Sequence, residues 1–142
     1  MAFGPSGDRV RGLRLHNMTL GVRLQHLTAE ECLQLLAGTD LARLALTRSA
    51  LPFVAPVRFR LEQKALLISA DGGSPVANAA RDRQVVCLEA DDIIAGRGGQ
   101  WVVHVTGPLA TFTTGLDELD EASLVCTIDL STAVIAGWLR TS

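Results

Sequence analysis

Lysine is almost missing from this chain: Lys64 is the only one among 142 residues, and arginine carries nearly all the basic charge. No Walker-type loop with its phosphate-gripping lysine is present. The formal net charge is −2, so there is no basic excess of the kind that marks a nucleic-acid binder. No stretch approaches the ~18 consecutive apolar residues of a membrane span. The leader also lacks the continuous apolar segment of a secretory signal, and the expected location is cytoplasmic. The three cysteines, Cys32, Cys87 and Cys126, are far apart, odd in number and set among apolar neighbours. They read as buried thiols of a reducing compartment, not as disulfides or a zinc site. His16, His26 and His104 have no Cys, Asp or Glu companions at metal-ligand spacing, so no metal is expected. His104 alternates in phase with Val102 and Thr106 and reads as a core or interface histidine. A Gly-x-Ser-x-Gly elbow is absent, Cys87 is not set up as a nucleophile, and no catalytic residue can be named.

What the chain does have is apolar mass. Hydrophobic residues make up 48% and charged residues 20%, the balance of one globular domain with a proper core. Residues 1–24 show no sustained periodicity and read as an arm, leaving 25–142 as the domain. Thr28-Ala29-Glu30-Glu31 is a capping box. It opens a helix whose buried stripe is Cys32, Leu33, Leu35 and Leu36, and Gly38 ends it. Leu41 to Thr47 is a first strand, and Arg48-Ser49-Ala50 turns it back.

The organising stretch follows, from Phe53 to Arg83. Phe53, Ala55, Val57, Phe59 and Leu61 are apolar at every second position, with Arg58, Arg60 and Glu62 between them, which predicts a half-buried strand. Ala65 to Ser69 is its return strand. Asp71-Gly72-Gly73-Ser74 then turns the chain into a helix over Pro75–Asp82, with proline at its first position, where the missing N–H is not needed. Ser74 can cap that helix or donate to an anion, and the two glycines allow close approach; the bland reading of a turn and a cap is the more common one.

Val85 to Ala90 is a fourth strand, ending in Asp91 and Asp92, for which solvated turn residues are the default. Gln100 to Thr114 is long for a strand and carries Gly107-Pro108 in the middle. Proline cannot donate to a ladder, so a bend is expected there, letting one strand serve two sides of a barrel. Leu116 to Ala122 is acidic and reads as a short helix or turn. Val125 to Leu130 is a last strand, followed by a tail around Trp138. Six antiparallel strands with two or three short helices make a small α+β barrel.

The order of these pieces resembles the pyridoxamine 5′-phosphate oxidase-like flavoproteins, the FMN-binding split-barrel superfamily. The resemblance covers roughly residues 27 to 139. It rests on LTAEECLQLLAGTDLARLALT, PFVAPVRFRLEQKALLISA, DGGSPVANAARDRQVVCLEADDI and GGQWVVHVTGPLATF. It implies a six-stranded split β-barrel that binds FMN, or the deazaflavin F420, at a homodimer interface and transfers hydride to or from a small-molecule substrate. Carried over by position, Pro56, Val57, Arg58 and Phe59 would edge the ring, and Ser69, Ala70, Gly73 and Ser74 would lie near the ribityl chain and phosphate. Trp101 would approach from the fifth strand and Trp138 from the chain end.

The chain departs from the family pattern at the phosphate. Many relatives have an arginine or other polar residue on the third strand and a lysine just after the corner serine, where this chain has Ile68 and Pro75. A true pyridoxamine 5′-phosphate oxidase also carries substrate-binding arginines near its end, which Trp138-Leu139-Arg140 does not match. The alternative is a split-barrel dimer without flavin that acts as a ligand-binding or structural module.

Overall fold

The computed structural model describes residues 23–93, 99–112 and 123–141. Eight strands and two helices follow in the order β1 (Arg23–His26), α1 (Ala29–Ala37), β2 (Leu41–Arg48), β3 (Leu51–Glu62), β4 (Ala65–Asp71), α2 (Pro75–Arg81), β5 (Val85–Asp91), β6 (Trp101–Phe112), β7 (Ser123–Asp129) and β8 (Val134–Thr141). All pairings are antiparallel, in the order β1-β8-β6-β5-β2-β3-β4-β7, and β6 also pairs with β7. That last pairing closes β2 to β7 into a six-stranded barrel, the α+β split barrel expected from the sequence, with β8 and β1 added outside it.

Two strands change partners partway along, and they join the barrel's two sheets. β3 pairs with β2 from Leu51 to Arg58 and with β4 only from Phe59 to Glu62. β6 pairs with β8 from Trp101 to Thr106 and with β7 from Leu109 to Phe112. The second handover falls on Gly107-Pro108, where the sequence predicts it. A Cβ on Gly107 would stand 3.3 Å from Ile128 Cγ2 and 3.5 Å from Ala133 Cβ, so glycine lets the bent strand press against β7.

The β3 alternation holds from Pro52 to Glu62, with Leu51 exposed at the strand's start. Val57 and Phe59 are buried, Phe53, Ala55 and Leu61 are half-buried, and Pro52, Val54, Pro56, Arg58, Arg60 and Glu62 are exposed. Inside the barrel, Leu44, Leu66, Ile68, Leu88, Val103, Val105, Leu109 and Ile128 lose all contact with water. Burial of each such side chain stabilises the fold by about 1.5–3 kcal/mol. α2 packs against β2, β4, β6 and β7 and buries Val76, Ala77, Ala79 and Ala80. α1 is held by the predicted capping box, with Glu31 N donating to Thr28 Oγ1 at 3.1 Å and Thr28 N donating to Glu31 Oε1 at 2.8 Å. It packs on β8 through Cys32 and Leu36.

The tail expected around Trp138 is instead the strand β8, and β1 at the seam of arm and domain pairs with it. The run Val134 to Leu139 is apolar at every position, with Gly137 within it, so it shows no alternation. α1 packs on one of its faces, and its two edges pair with β1 and β6. The acidic stretch 116–122 and most of the glycine-rich loop after Asp92 lie outside the described residues.

Candidate functional site

Where β3 and β4 part, the barrel wall opens. Phe59↔Ile68 is the last register pair between them; N-terminal of Phe59, β3 continues along β2, while beyond Ile68 β4 continues along β7 to Asp71↔Ser123. The gap is an open cleft of about 350 Å³, walled by Phe53, Ala55, Pro56 and Val57 of β3 and by Ser69, Ala70 and Asp71 of β4. Ser74, Pro75 and Val76 at the head of α2 and Ser123 at the head of β7 complete it. The walls are mostly apolar, interrupted by the hydroxyls of Ser69, Ser74 and Ser123 and the carboxylate of Asp71. A smaller hollow of about 200 Å³ adjoins it and shares Ser69; Asp40, Arg58, Phe59, Arg60, Leu67 and Val125 form the rest of its lining.

Five of the residues that the resemblance assigns thus meet in the cleft: Pro56, Val57, Ser69, Ala70 and Ser74. Arg58 and Phe59 belong to the adjoining hollow. There Arg58 is 70% exposed and pairs with Asp40 at 3.1 Å, while Arg60 pairs with Glu62 at 3.1 Å. Gly73 and Trp101 line neither space. Gly73 is exposed on the outside of the turn, with nothing within 4 Å of where a Cβ would stand. Trp101 starts β6 beside β8, paired with Leu139 and half-buried against the core.

The corner itself is tightly self-bonded. Ser74 Oγ donates to Asp71 O at 2.6 Å and accepts from Ala77 N at 3.2 Å, and Ser74 N donates to Asp71 O at 3.0 Å. Arg81 reaches back from the end of α2, its Nη1 donating to Gly72 O at 2.7 Å and to Asn78 Oδ1 at 3.1 Å. The i, i+3 spacing of Asn78 and Arg81 is the sequence signal for this contact.

A second polar cluster lies on the outer face of β2, β5 and β6, where Arg43↔Glu89 and Glu89↔His104 are register partners. Arg43 Nη1 is 2.9 Å from Asp91 Oδ2 and 3.7 Å from Glu89 Oε1, and His104 Nε2 is 2.8 Å from Glu89 Oε2. The His104 ring meets Trp138 edge-on at 5.4 Å, and His26 flanks the same indole at 5.9 Å. Asp91 and Asp92 are not solvated turn residues: they are 7% and 4% exposed. Asp91 is held by Arg43 and by Ile93 N at 3.0 Å, and Asp92 Oδ1 accepts from Trp101 N at 3.3 Å. Both carboxylates therefore cap backbone at the β5–β6 connection. Cys32, Cys87 and Cys126 are all free thiols, and burial is the main cause that pushes each one's pKa above its ordinary value. That lowers their thiolate fraction and leaves them poor nucleophiles. Among the described residues, no group of three or more His, Cys, Asp or Glu could hold a metal ion, and no helix is long and apolar enough to cross a membrane.

These features define an antiparallel split-barrel protein with a mostly apolar slot, bearing a few hydroxyls, at the seam of its two sheets. The chain belongs to the pyridoxamine 5′-phosphate oxidase family, which it matches over residues 28–128. It is 36% identical over 89 residues to the uncharacterized protein Rv0080 of Mycobacterium tuberculosis, a match that spans 60% of this chain and 58% of that protein. Among solved structures, the FAD binding protein from Mycobacterium smegmatis is 25% identical, with a TM-score of 0.64 over 84% of this chain and 100% of the other. A FAD-binding protein from Mesorhizobium loti shares the fold at 16% identity, with a TM-score of 0.66 over 86% of this chain and 100% of the other.

Proposed function

We propose that this chain binds a flavin, or the deazaflavin F420, in the β3–β4 cleft of a homodimer and works as an oxidoreductase on a small molecule. The observation that carries this reading is the cleft. Its size suits a small ligand site, and its apolar walls and the hydroxyls of Ser69, Ser74 and Ser123 suit a flat ring with a polyol chain. Phe53, Ala55, Pro56 and Val57 would pack along the ring and exclude water from it, while Ser69 and Ser74 would lie toward the ribityl hydroxyls. When bound, the cofactor would supply hydride transfer at its N5 position; the protein supplies orientation and electrostatics. The family membership and the flavin-binding neighbour from Mycobacterium smegmatis support the same reading.

The dimer is supported by an apolar rung on the outer face. Val54↔Ala45, Ala45↔Cys87, Cys87↔Thr106 and Thr106↔Val134 run in register across five strands, and Val54 and Val134 are 58% and 67% exposed. A two-fold partner covering this strip would bury apolar surface that is uncommon on a monomer.

One observation favours the second reading, a dimer without flavin serving as a ligand-binding or structural module: none of the described residues lining the cleft is basic. The visible absorbance spectrum of the purified protein, followed by flavin titration, separates the two. A bound yellow chromophore or micromolar-range affinity, about −8 kcal/mol, supports the flavin reading. Colourless protein that binds no flavin would overturn it in favour of the second.

A further inference from the structure

Resting on the flavin reading, we infer that Arg48, at the end of β2, holds an oxyanion of the ligand bound in the β3–β4 cleft. The cleft has no positive charge of its own for such a group: Asp71 is part of its lining, and none of the described lining residues is basic. A counter-charge therefore has to reach in from beyond the walls. Arg48 Cζ stands 5.5 Å from the centroid of the Phe53 ring, and Phe53 is a wall of the cleft that it shares with Ser74, Pro75 and Val76.

Arg48 is also uncommitted. Arg58 and Arg60, in the adjoining hollow, each pair with a carboxylate, and Arg43 pairs with Asp91 and Glu89. Arg81 Nη1 donates to Gly72 O and Asn78 Oδ1. The exposed Arg48 side chain has neither an ion pair nor a hydrogen bond with any described residue. Contact with a ring face uses the charge of a guanidinium and leaves its N–H fork unspent. That fork matches the paired oxygens of a phosphate or carboxylate.

The backbone aims the side chain. Arg48 follows Leu44 and Leu46 at period two on the barrel side of β2, and Leu46↔Phe53 and Arg48↔Leu51 are register pairs. Arginine and ring therefore project to one face of the hairpin. β2 pairs with β5 only from Arg43 to Ala45, and beyond that point the Gln84 amide replaces a strand partner. Its Nε2 donates to Thr47 O at 2.9 Å, and its Oε1 accepts from Thr47 N at 2.5 Å. These bonds fix the backbone next to Arg48, so the exposed tip is presented from a hairpin already in place, which lowers the cost of ordering it on a ligand.

Riboflavin and FMN differ by one phosphate, which makes them the probes. The full chain as wild type, Arg48→Gln and Arg48→Lys is titrated with each at low and high salt, following flavin fluorescence, and a thermal melt checks that the variants fold. Where the flavin's own phosphate is the oxyanion, Arg48→Gln weakens FMN about tenfold and leaves riboflavin within about twofold. It also flattens the salt dependence of FMN binding, and Arg48→Lys keeps part of the affinity. Where the oxyanion belongs to a second small molecule, both flavins bind the variants as they bind the wild type. Inorganic phosphate titrated into the flavin-loaded chain then binds the wild type and weakens about tenfold in Arg48→Gln. Either result supports the inference. Equal losses for riboflavin and FMN, or no loss for FMN and phosphate alike, overturn it and leave Arg48 as packing for Phe53, with the flavin reading intact. If the wild type binds neither flavin, the flavin reading falls and this inference falls with it.

Discussion

Replacing Gly137 with alanine tests how α1 is docked on the sheet. Gly137 is buried in β8, and a Cβ there would stand 2.6 Å from Cys32 Sγ, 3.1 Å from Val102 O and 3.2 Å from Val103 Cγ2. Its φ lies outside the left-handed region, so the constraint is space and not torsion. Neither nearest neighbour can yield easily. Cys32 is fully buried in the middle of α1, and Val102 O belongs to the backbone of β6, which pairs with β8 on this side. Leu27 N also donates to Gly137 O at 2.9 Å, tying the chain just before α1 to the same residue.

Overpacking of this kind costs about 1–3 kcal/mol. Loss of glycine's unfolded-state entropy offsets about 0.4–1 kcal/mol, so Gly137→Ala should destabilise by about 1–2 kcal/mol. At this chain length each kcal/mol moves the melting temperature by roughly 3–5 °C. Urea and thermal melts of the wild type, Gly137→Ala, Cys32→Ala and the double variant form the assay. Because Cys32→Ala removes the atom that clashes, the double variant should be more stable than the sum of the single effects, with a coupling of about 1 kcal/mol. An alanine variant as stable as the wild type, or strictly additive effects, would refute the idea that α1 needs glycine beneath it.

Gly73→Val should fold normally, within about 0.5 kcal/mol of the wild type, since its side chain would extend into open space. Because Gly73 lies outside the cleft lining, flavin binding should stay within about twofold of the wild type, and a much larger loss in a titration would instead put the ligand against the turn. Ala50→Gly should raise stability by about 0.5–1 kcal/mol, because Ser49 and Ala50 hold φ of 50° and 64° at the tip of the β2–β3 hairpin; a lower melting temperature would reject this. Asp129 has its carboxyl held below its ordinary value of 3.8, first by the Ser131 hydroxyl and then by the Ser131 N–H. The stability it contributes is therefore present above pH 3.8 and lost as pH falls through the lowered value. Ser131→Ala should move the Asp129 resonance titration upward by NMR, and an unmoved curve would exclude the hydroxyl as the cause.

The barrel was legible because its strands have one wet face. Phe53 to Leu61 alternates cleanly, and Gly107-Pro108 interrupts an otherwise unbroken β6, so local chemistry and the final fold agree at both places. β8 was not legible for the opposite reason. Ile135, Ala136, Gly137 and Trp138 are apolar in succession: α1 packs on one face, with Cys32 beneath Gly137, and on the other face Trp138 lies against His26 and His104, and period-two patterning disappears when both faces carry apolar residues. The burial of Asp91 and Asp92 was hidden for a different reason: Arg43 comes to Asp91 from another strand and the Trp101 N–H comes to Asp92 from across a loop. The Ser49-Ala50 turn could be placed, but its left-handed torsions could not be read from residues that rarely adopt them.

The candidate site was half legible, and the division has a physical cause. Pro56, Val57, Ser69, Ala70 and Ser74 flank the point where β3 stops pairing with β4, and a strand followed by a tight turn and a capped helix is visible in a linear sequence. What turns those pieces into a cleft is the partner exchange of β3 at Arg58–Phe59, and nothing local announces it except that Pro56 has no N–H to give a ladder. Phe53 and Ala55 were read as core because they alternate with exposed neighbours, yet they are cleft walls, because the strand that would have covered them has left for β7. The inward face of a strand becomes a binding surface wherever its partner departs. The hydrophobic pattern that specifies this core therefore specifies the apolar half of the site as well. Its polar half depends on which donors the turn has already used, and that is decided only when Ser74 and Arg81 close on the backbone of Asp71 and Gly72.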